Sequence, residues 1–478
     1  MNWSILINNF LGGFAPAWYK ETYPIYGNKN QAGAMQNADI TNPGYLSQGP
    51  GLANLTNGTQ AGAVTTLIKG ILESPTAADT TYAVGGNTLY KIYSTAVIDD
   101  ATWPHTIDKA TVTAELGEDT LLYHGVLYYS YNHSGTAGDI GSYDLSSTFD
   151  DDWGSTVPSG MAALQDGPHQ MIIGGNDVMY IANGRYVASW DGTTLIPQAL
   201  DLPTGAVIQS LKWMADRLWI AANKTSLTGS NKVGASVYIW DGTTPSWETE
   251  LPLMGMVGGL HVKNGVLFVF YKDISHSGGF KLAYLNGATV IDLANYTGGL
   301  PAFYQITDYK DFIIWDSAGL IYAFGGGDKD MPVRLFQLAD SGYTTAGGIA
   351  CPFGTPLVAS NETTSYKLAK FSGLDVASNW KSLMFDVTGD NRISRIKRAK
   401  INFETLASGA RVDWKLLDNQ GRTLYSDIIS YAKLGAVSKA DYPLNLLAEN
   451  FRIEFDYTNG STSNAVKIKN TKIYGSTE

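Results

Sequence analysis

The chain is short of cysteine, of charge and of long apolar runs, and each shortage excludes a class of protein. One cysteine, Cys351, stands among 478 residues, so an intramolecular disulfide framework and a thiolate-ligated zinc site are both excluded. Charged residues make up 16% of the chain, against roughly a quarter in an ordinary domain, which is not the composition of a coiled coil or a charged disordered tail. No segment approaches the roughly eighteen consecutive apolar residues of a membrane-spanning helix. The opening Met1-Asn2-Trp3-Ser4-Ile5-Leu6-Ile7 lacks a basic stretch and a small-residue cleavage site, so no secretory signal is expected. Bases are outnumbered, 33 against 44 acids for a net charge of −11, which argues against a generally basic nucleic-acid binder.

Glycine and aromatics are plentiful instead: Gly is 52 of 478, and Phe, Trp and Tyr make up 12%. That is the composition of a turn-rich, all-β chain, and the length allows two or three domains. Residues 1–60 are dense in Gly, Pro, Asn and Gln, as in Gly12-Gly13-Phe14-Ala15-Pro16 and Gly49-Pro50-Gly51-Leu52. They read as an extended arm of turns and short strands, lying along another surface because it buries little by itself.

Residues 61–380 repeat a unit at a spacing of about 40 to 50 residues. Each unit has a tight turn, an apolar strand, a variable loop and a further strand ending in a Gly turn. Asp79 precedes Thr80-Thr81-Tyr82-Ala83-Val84, His124-Gly125 precedes Val126-Leu127-Tyr128-Tyr129, and Asn176-Asp177 precedes Val178-Met179-Tyr180-Ile181. Ala215-Asp216, Asn264-Gly265, Lys310-Asp311 and Phe353-Gly354 open four more units. The partner strands include Tyr186-Val187-Ala188-Ser189-Trp190 and Val237-Tyr238-Ile239-Trp240. A single four-stranded sheet cannot bury both faces but a ring of sheets can, so the repeat predicts a β-propeller of about seven blades.

Residues 381–478 have a different texture. They hold 15 bases against 11 acids, whereas residues 1–380 hold 18 against 33. Alternating runs at 411–416, 451–457 and 465–469, with a further run at 395–403, predict a C-terminal antiparallel β-sandwich.

Motifs for chemistry are sparse. The six histidines, His105, His124, His133, His169, His261 and His276, show no short metal-ligand spacing. His133-Ser134-Gly135 and His276-Ser277-Gly278 read as loop turns, since adjacent residues do not set up a nucleophile and its base. Trp-Asp-Gly-Thr-Thr at 190–194 and 240–244 reads as a structural turn whose Asp caps the hairpin and whose Trp packs between blades. Asp386–Asn391 lacks the closing Glu of a calcium loop, and the repeats show no carboxylate pair for a glycosidase. No catalytic, cofactor or metal residues are assigned, and the chain is expected not to be an enzyme. The strongest local charge feature is Arg392, Arg395, Lys397, Arg398 and Lys400. It suits contact with DNA phosphates or with an acidic neighbouring subunit, or else a solvated edge strand guarded by charge.

Gly12-Gly13-Phe14, then Gln36-Asn37-Ala38-Asp39-Ile40 and Pro43-Gly44-Tyr45-Leu46 running into Gly49-Pro50-Gly51-Leu52, resemble the opening of tailed-bacteriophage virion proteins. The overall plan of arm, propeller and sandwich is similar to the tail hub or nozzle proteins of short-tailed phages. The resemblance implies a structural virion protein without catalytic residues or cofactor, forming a ring of about six copies around the DNA exit channel. It implies assembly in the host cytoplasm, neighbouring tail or portal and adaptor proteins as partners, and transient contact with phage DNA. In this plan the arm staples one subunit to its neighbours. The alternative is a receptor- or carbohydrate-binding propeller, a tail-tip adhesin, with a glycosidase behind it.

Overall fold

In the computed structural model, residues 2–7, 10, 23–24, 32–40 and 45–55 are described. So is 64–477, apart from 78, 109–114, 134–135, 157–163, 166, 225–233, 274–278, 288, 297, 326–334, 341–344, 363–364, 376–377 and 387–392. The chain is almost entirely β. Seven four-stranded antiparallel sheets follow one another as the blades of a propeller.

Blade 1 is built from Gly70–Ile71, Thr80–Gly85, Thr88–Tyr93 and His105–Thr106, and blade 2 from Glu115–Tyr123, Val126–His133, Thr136–Tyr143 and Phe149–Asp150. Blades 3, 4 and 5 begin with the inner strands Met171–Ile173, Ala206–Met214 and Gly255–Lys263. Blade 6 begins with Ile306–Tyr309 and blade 7 with Thr345–Ala350. The inner strand of blade 7 contacts that of blade 1, so the circle closes.

The predicted turns lie between the first and second strands, and their backbone explains the residues chosen. His124, Asp177, Asn264 and Lys310 all take positive φ, at 48°, 58°, 51° and 53°. A two-residue hairpin loop requires such a conformation, and Asn, Asp and Gly adopt it at least cost.

Hydrophobic cores lie between the sheets. Tyr180, Leu218 and Trp240 fill the space between blades 3 and 4, and Phe270, Phe280, Tyr296 and Trp315 that between blades 5 and 6. The wedge between blades 7 and 1 is filled by Ile68, Tyr90, Leu357 and Leu368. Each blade thus buries both faces against its neighbours, which is the physical reason a ring of sheets is stable where one sheet is not.

Two sheets form the C-terminal sandwich. One has the order Asn2–Ile7, Ile468–Thr477, Ser394–Phe403, Lys439–Ala448. The other has the order Ala32–Gln36, Asn379–Ser382, Arg452–Asp456, Arg411–Leu417, Thr423–Ser430. Ile396, Ile401 and Phe403 of the first meet Trp414, Leu416, Ile453 and Phe455 of the second. The last strand begins at Ile468, later than the run at 465–469 suggested. The same core takes in Phe312 and Ile314 of blade 6 and Val358 of blade 7, so sandwich and propeller share apolar contacts.

The N-terminal segment joins the two bodies. Pro50–Asn54 is the outer strand of blade 7, and Asn2–Ile7 pairs along Ile468–Thr477 from Asn2 with Ser476 to Ile7 with Thr471. Ala32–Gln36 extends the second sandwich sheet. These strands pair with their own chain, where the sequence led us to expect an arm reaching to neighbouring copies.

Candidate functional site: the axial cavity and the basic sheet face

Four of the five residues in the predicted basic run, Arg395, Lys397, Arg398 and Lys400, lie on Ser394–Phe403; Arg392 lies outside the described residues. The strand is hydrogen-bonded on both sides, to Lys439–Ala448 and to Ile468–Thr477. It is therefore central, which corrects the reading of a charge-guarded edge. Alternation sends Ile396, Ala399 and Ile401 into the core and the bases to the outer face, and a register shift between Ile396 and Arg398 leaves Lys397 exposed as well.

Arg398 grips Asp441 with two hydrogen bonds, Nε to Oδ1 at 2.6 Å and Nη2 to Oδ2. The guanidinium holds the Asp441 carboxyl below its usual range. Arg395 Nη1 donates to Asn445 Oδ1 at 2.6 Å. Lys400 and Lys472 flank the Tyr474 ring, 5.8 Å and 4.8 Å from its centroid. Lys439, opposite Asn402, adds a further base to this face.

A second feature, missed in the sequence, lies on the propeller axis. A cavity of about 270 Å³ is lined from the inner strands and their ends, with Glu73, Asp119, Gln170, Lys212 and Tyr304 as its principal polar groups. Several of these side chains also tie the blades together. Asp119 of blade 2 accepts from Thr120 N at 2.9 Å and, across the seam, from Met171 N of blade 3 at 2.8 Å. Gln170 Oε1 accepts from Ser210 Oγ and Leu211 N of blade 4, and Ser210 Oγ accepts from Leu260 N of blade 5. His261 of blade 5 pairs with Asp308 of blade 6 at 3.0 Å. Gln305 Nε2 donates to Ala346 O at blade 7, and Gly348 N to Ile68 O at blade 1. Gly117 N to Gly86 O completes the circuit.

The charges in this belt perturb one another. Burial pushes Asp119 up to about 7, Glu73 adds to the rise, and Lys212 and the two backbone donors oppose it. Burial also holds His261 below its usual value against the pull of Asp308. The Cys351 thiol is raised to about 12 by burial, helped by Glu73 and Asp308, so it is no nucleophile at neutral pH. Glu73 accepts from Thr307 Oγ1 of blade 6 at 3.0 Å. Glu73 and Asp119 thus share one cavity, although the sequence reading found no carboxylate pair. They stand in separate repeats, and only closure of the ring brings them together.

The other candidates are structural. Asp191 accepts from Thr193 N and Thr194 N, and Asp241 from Thr243 N and Thr244 N. These bonds pull both carboxyls down, Asp241 to about 2. Trp190 packs edge-on to Trp153 of blade 2 at 5.3 Å. His169 is fully buried between Ala182 O and Asn132 Oδ1, and His124 stacks on Tyr123 at 3.9 Å. Ser134, Gly135 and the His276 loop lie outside the described residues.

No family model and no curated protein matches this chain. Solved structures resemble it at low identity. A glycoside hydrolase family 43 arabinoxylan arabinofuranohydrolase from Bacillus subtilis is 10% identical, with a TM-score of 0.31 over 87% of this chain and 96% of that one. The soluble aldose sugar dehydrogenase of Escherichia coli is 11% identical, with a TM-score of 0.39 over 67% of this chain and 98% of that one. The extracellular domain of a hybrid two-component system from B. thetaiotaomicron is 10% identical, at 0.45 over 92% of this chain and 62% of that one. The expectation that the chain is not an enzyme is withdrawn, since glycoside hydrolases and sugar dehydrogenases recur among these structures; a likeness of this size assigns the chain no activity of theirs. What the chain shares with them is a β-propeller fold.

Proposed function

We propose that the chain is a ring-forming structural subunit of a bacteriophage tail, placed around the DNA exit channel, with itself and adjoining tail or portal proteins as partners. The observation that supports this reading most is the way the N-terminal segment fastens the molecule. One segment closes blade 7 and adds a strand to each sandwich sheet, and the two bodies share a core. A subunit built this way resists being pulled apart, as a tail component must. Electron microscopy of the purified protein tests it. Closed rings of about six copies are expected, and a population of single particles at every concentration overturns it.

The axial cavity favours a second reading, a carbohydrate-binding propeller. Two carboxylates, an ammonium and the Tyr304 ring line a space of about 270 Å³, and sugars are held by such combinations of polar groups and an aromatic face. Binding on a glycan array that disappears in Glu73→Gln supports this reading, and an array without signal removes it. Turnover of a bound glycan, abolished in Asp119→Asn, would extend it to a glycosidase.

A further inference from the structure

Four described lysines of the propeller sit against carboxylates. Lys69 meets Glu118, Lys224 meets Glu250, Lys263 meets Asp308, and Lys281 meets both Asp273 and Asp292. The outer face of the first sandwich sheet differs. Lys397, Lys400, Lys439 and Lys472 have no salt bridge to a carboxylate among the described residues, and Arg398 with its partner Asp441 stands among them. A sheet face on which bases outnumber the carboxylate beside them attracts an anionic surface.

The same chain carries such a surface. Residues 92–184 hold thirteen acids and one base, Lys109. Many of the acids gather where the outer edges of blades 1 and 2 meet. Asp151 of blade 2 accepts from His105 Nε2 at 3.1 Å and from Asp108 N at 3.0 Å, and His105 stacks on Phe149 at 3.8 Å. Asp99, Asp100 and Asp144 are exposed beside this seam, and Asp150 lies on the outer strand itself. A described base nearby is Lys91, over the Trp103 ring at 5.9 Å.

Resting on the ring reading above, we infer that the basic outer face of the sheet containing Ser394–Phe403 docks on the acidic outer rim of blades 1 and 2 of a second copy. The two surfaces are different patches on one subunit, separated around the axis because the sandwich core joins blades 6 and 7. A contact between unlike patches is heterologous and repeats from copy to copy, so it generates a ring where the rotation closes. Opposite charge fixes which patch meets which and speeds the encounter.

Charge reversal tests the assignment. Lys400→Glu with Lys472→Glu on one chain is expected to weaken self-association at least about tenfold, as read by sedimentation, with an unchanged thermal melt reporting an intact fold. Asp99→Lys with Asp150→Lys on another chain should do the same. Mixing the two damaged chains should restore assembly as rings in which they alternate, and putting all four substitutions on one chain should restore it as well. If the wild type assembles and the Lys400→Glu/Lys472→Glu chain assembles equally well, this face is not the contact and the ring reading survives. If the wild type stays monomeric throughout, both fail. Loss of polyanion retention with assembly intact would assign the face to nucleic acid and overturn the inference.

Discussion

Propeller and sandwich bury apolar side chains in the same way, but the first sheet of the sandwich carries lysines that have no salt bridge among the described residues on its outer face. In the propeller, ionisable groups that leave the surface are answered within the chain, as His261 is by Asp308 and Lys281 by Asp273 and Asp292. Its axis is stitched by a polar circuit in which each inner strand bonds to the next. Among the described residues the sandwich has no such circuit. Its two sheets meet through Trp414, Phe455 and their neighbours; the second sheet pairs its bases, as Lys415 with Asp456 and Lys381 with Glu454, while the first turns Lys397, Arg398 and Lys400 outward. A fold that closes on itself can satisfy its polar groups internally, whereas a two-layer sheet leaves an outer face whose charge selects what can cover it.

The comparison is broken most strongly at the cores. Trp414 is fully buried against Tyr442 at 4.7 Å and Tyr425 at 5.2 Å, so Trp414→Ala should cost about 3–5 kcal/mol. Because the sandwich core runs into blades 6 and 7, calorimetry should show one transition shifted as a whole. Two separated transitions would mean that the bodies are energetically independent. At the seam between blades 7 and 1, a side chain at Gly348 would collide with the carbonyl oxygen of Lys69. Gly348→Val is therefore expected to cost about 1–3 kcal/mol or more, measured by denaturant unfolding.

The axial belt gives a smaller, pH-dependent effect. An acid whose pKa is raised to about 7 in the fold binds a proton there that the unfolded chain does not hold until about pH 4. Its contribution makes the protein more stable as pH falls through 7. Asp119→Asn should remove that part of the pH dependence and cost about 1–2 kcal/mol, because the amide cannot accept both backbone N–H groups. An unchanged slope of stability between pH 6 and 8 (roughly the window of the shift) would contradict the assignment. The smallest change is at the exposed turns. The depressed carboxyl of Asp191 contributes above its unfolded pKa and is lost as acid titrates the folded group. Asp191→Asn should leave the neutral-pH melt nearly in place and blunt only this acid-side loss.

The legible parts of the fold were those with strong local signals. The second strands of the blades, such as Val266–Asp273, are apolar runs placed directly after positive-φ turns. The inner strands were obscured by glycine, as in Thr345–Ala350 and Gly255–Lys263, because they must pass close to a neighbouring blade. Outer strands as short as His105–Thr106 carry almost no period. Pro50–Asn54 lies in a segment read as an arm of turns and short strands, and it completes blade 7 because Ser365–Leu374 offers it an edge. The charge run within 395–403 marked a strand with a wet face but not that both its edges are paired. The axial carboxylates were unreadable for the same reason as the ring closure: no local pattern joins residues from separate repeats.

Ring formation by this chain requires a self-association driven by charge. Light scattering on the wild-type protein at about 0.1 M and about 1 M salt tests it, since the screening length falls from roughly 10 Å to roughly 3 Å between them. A closed multi-subunit mass at the lower salt that drops toward the monomer at the higher salt is the predicted result. A monomer mass at both, or a large mass indifferent to salt, would contradict it.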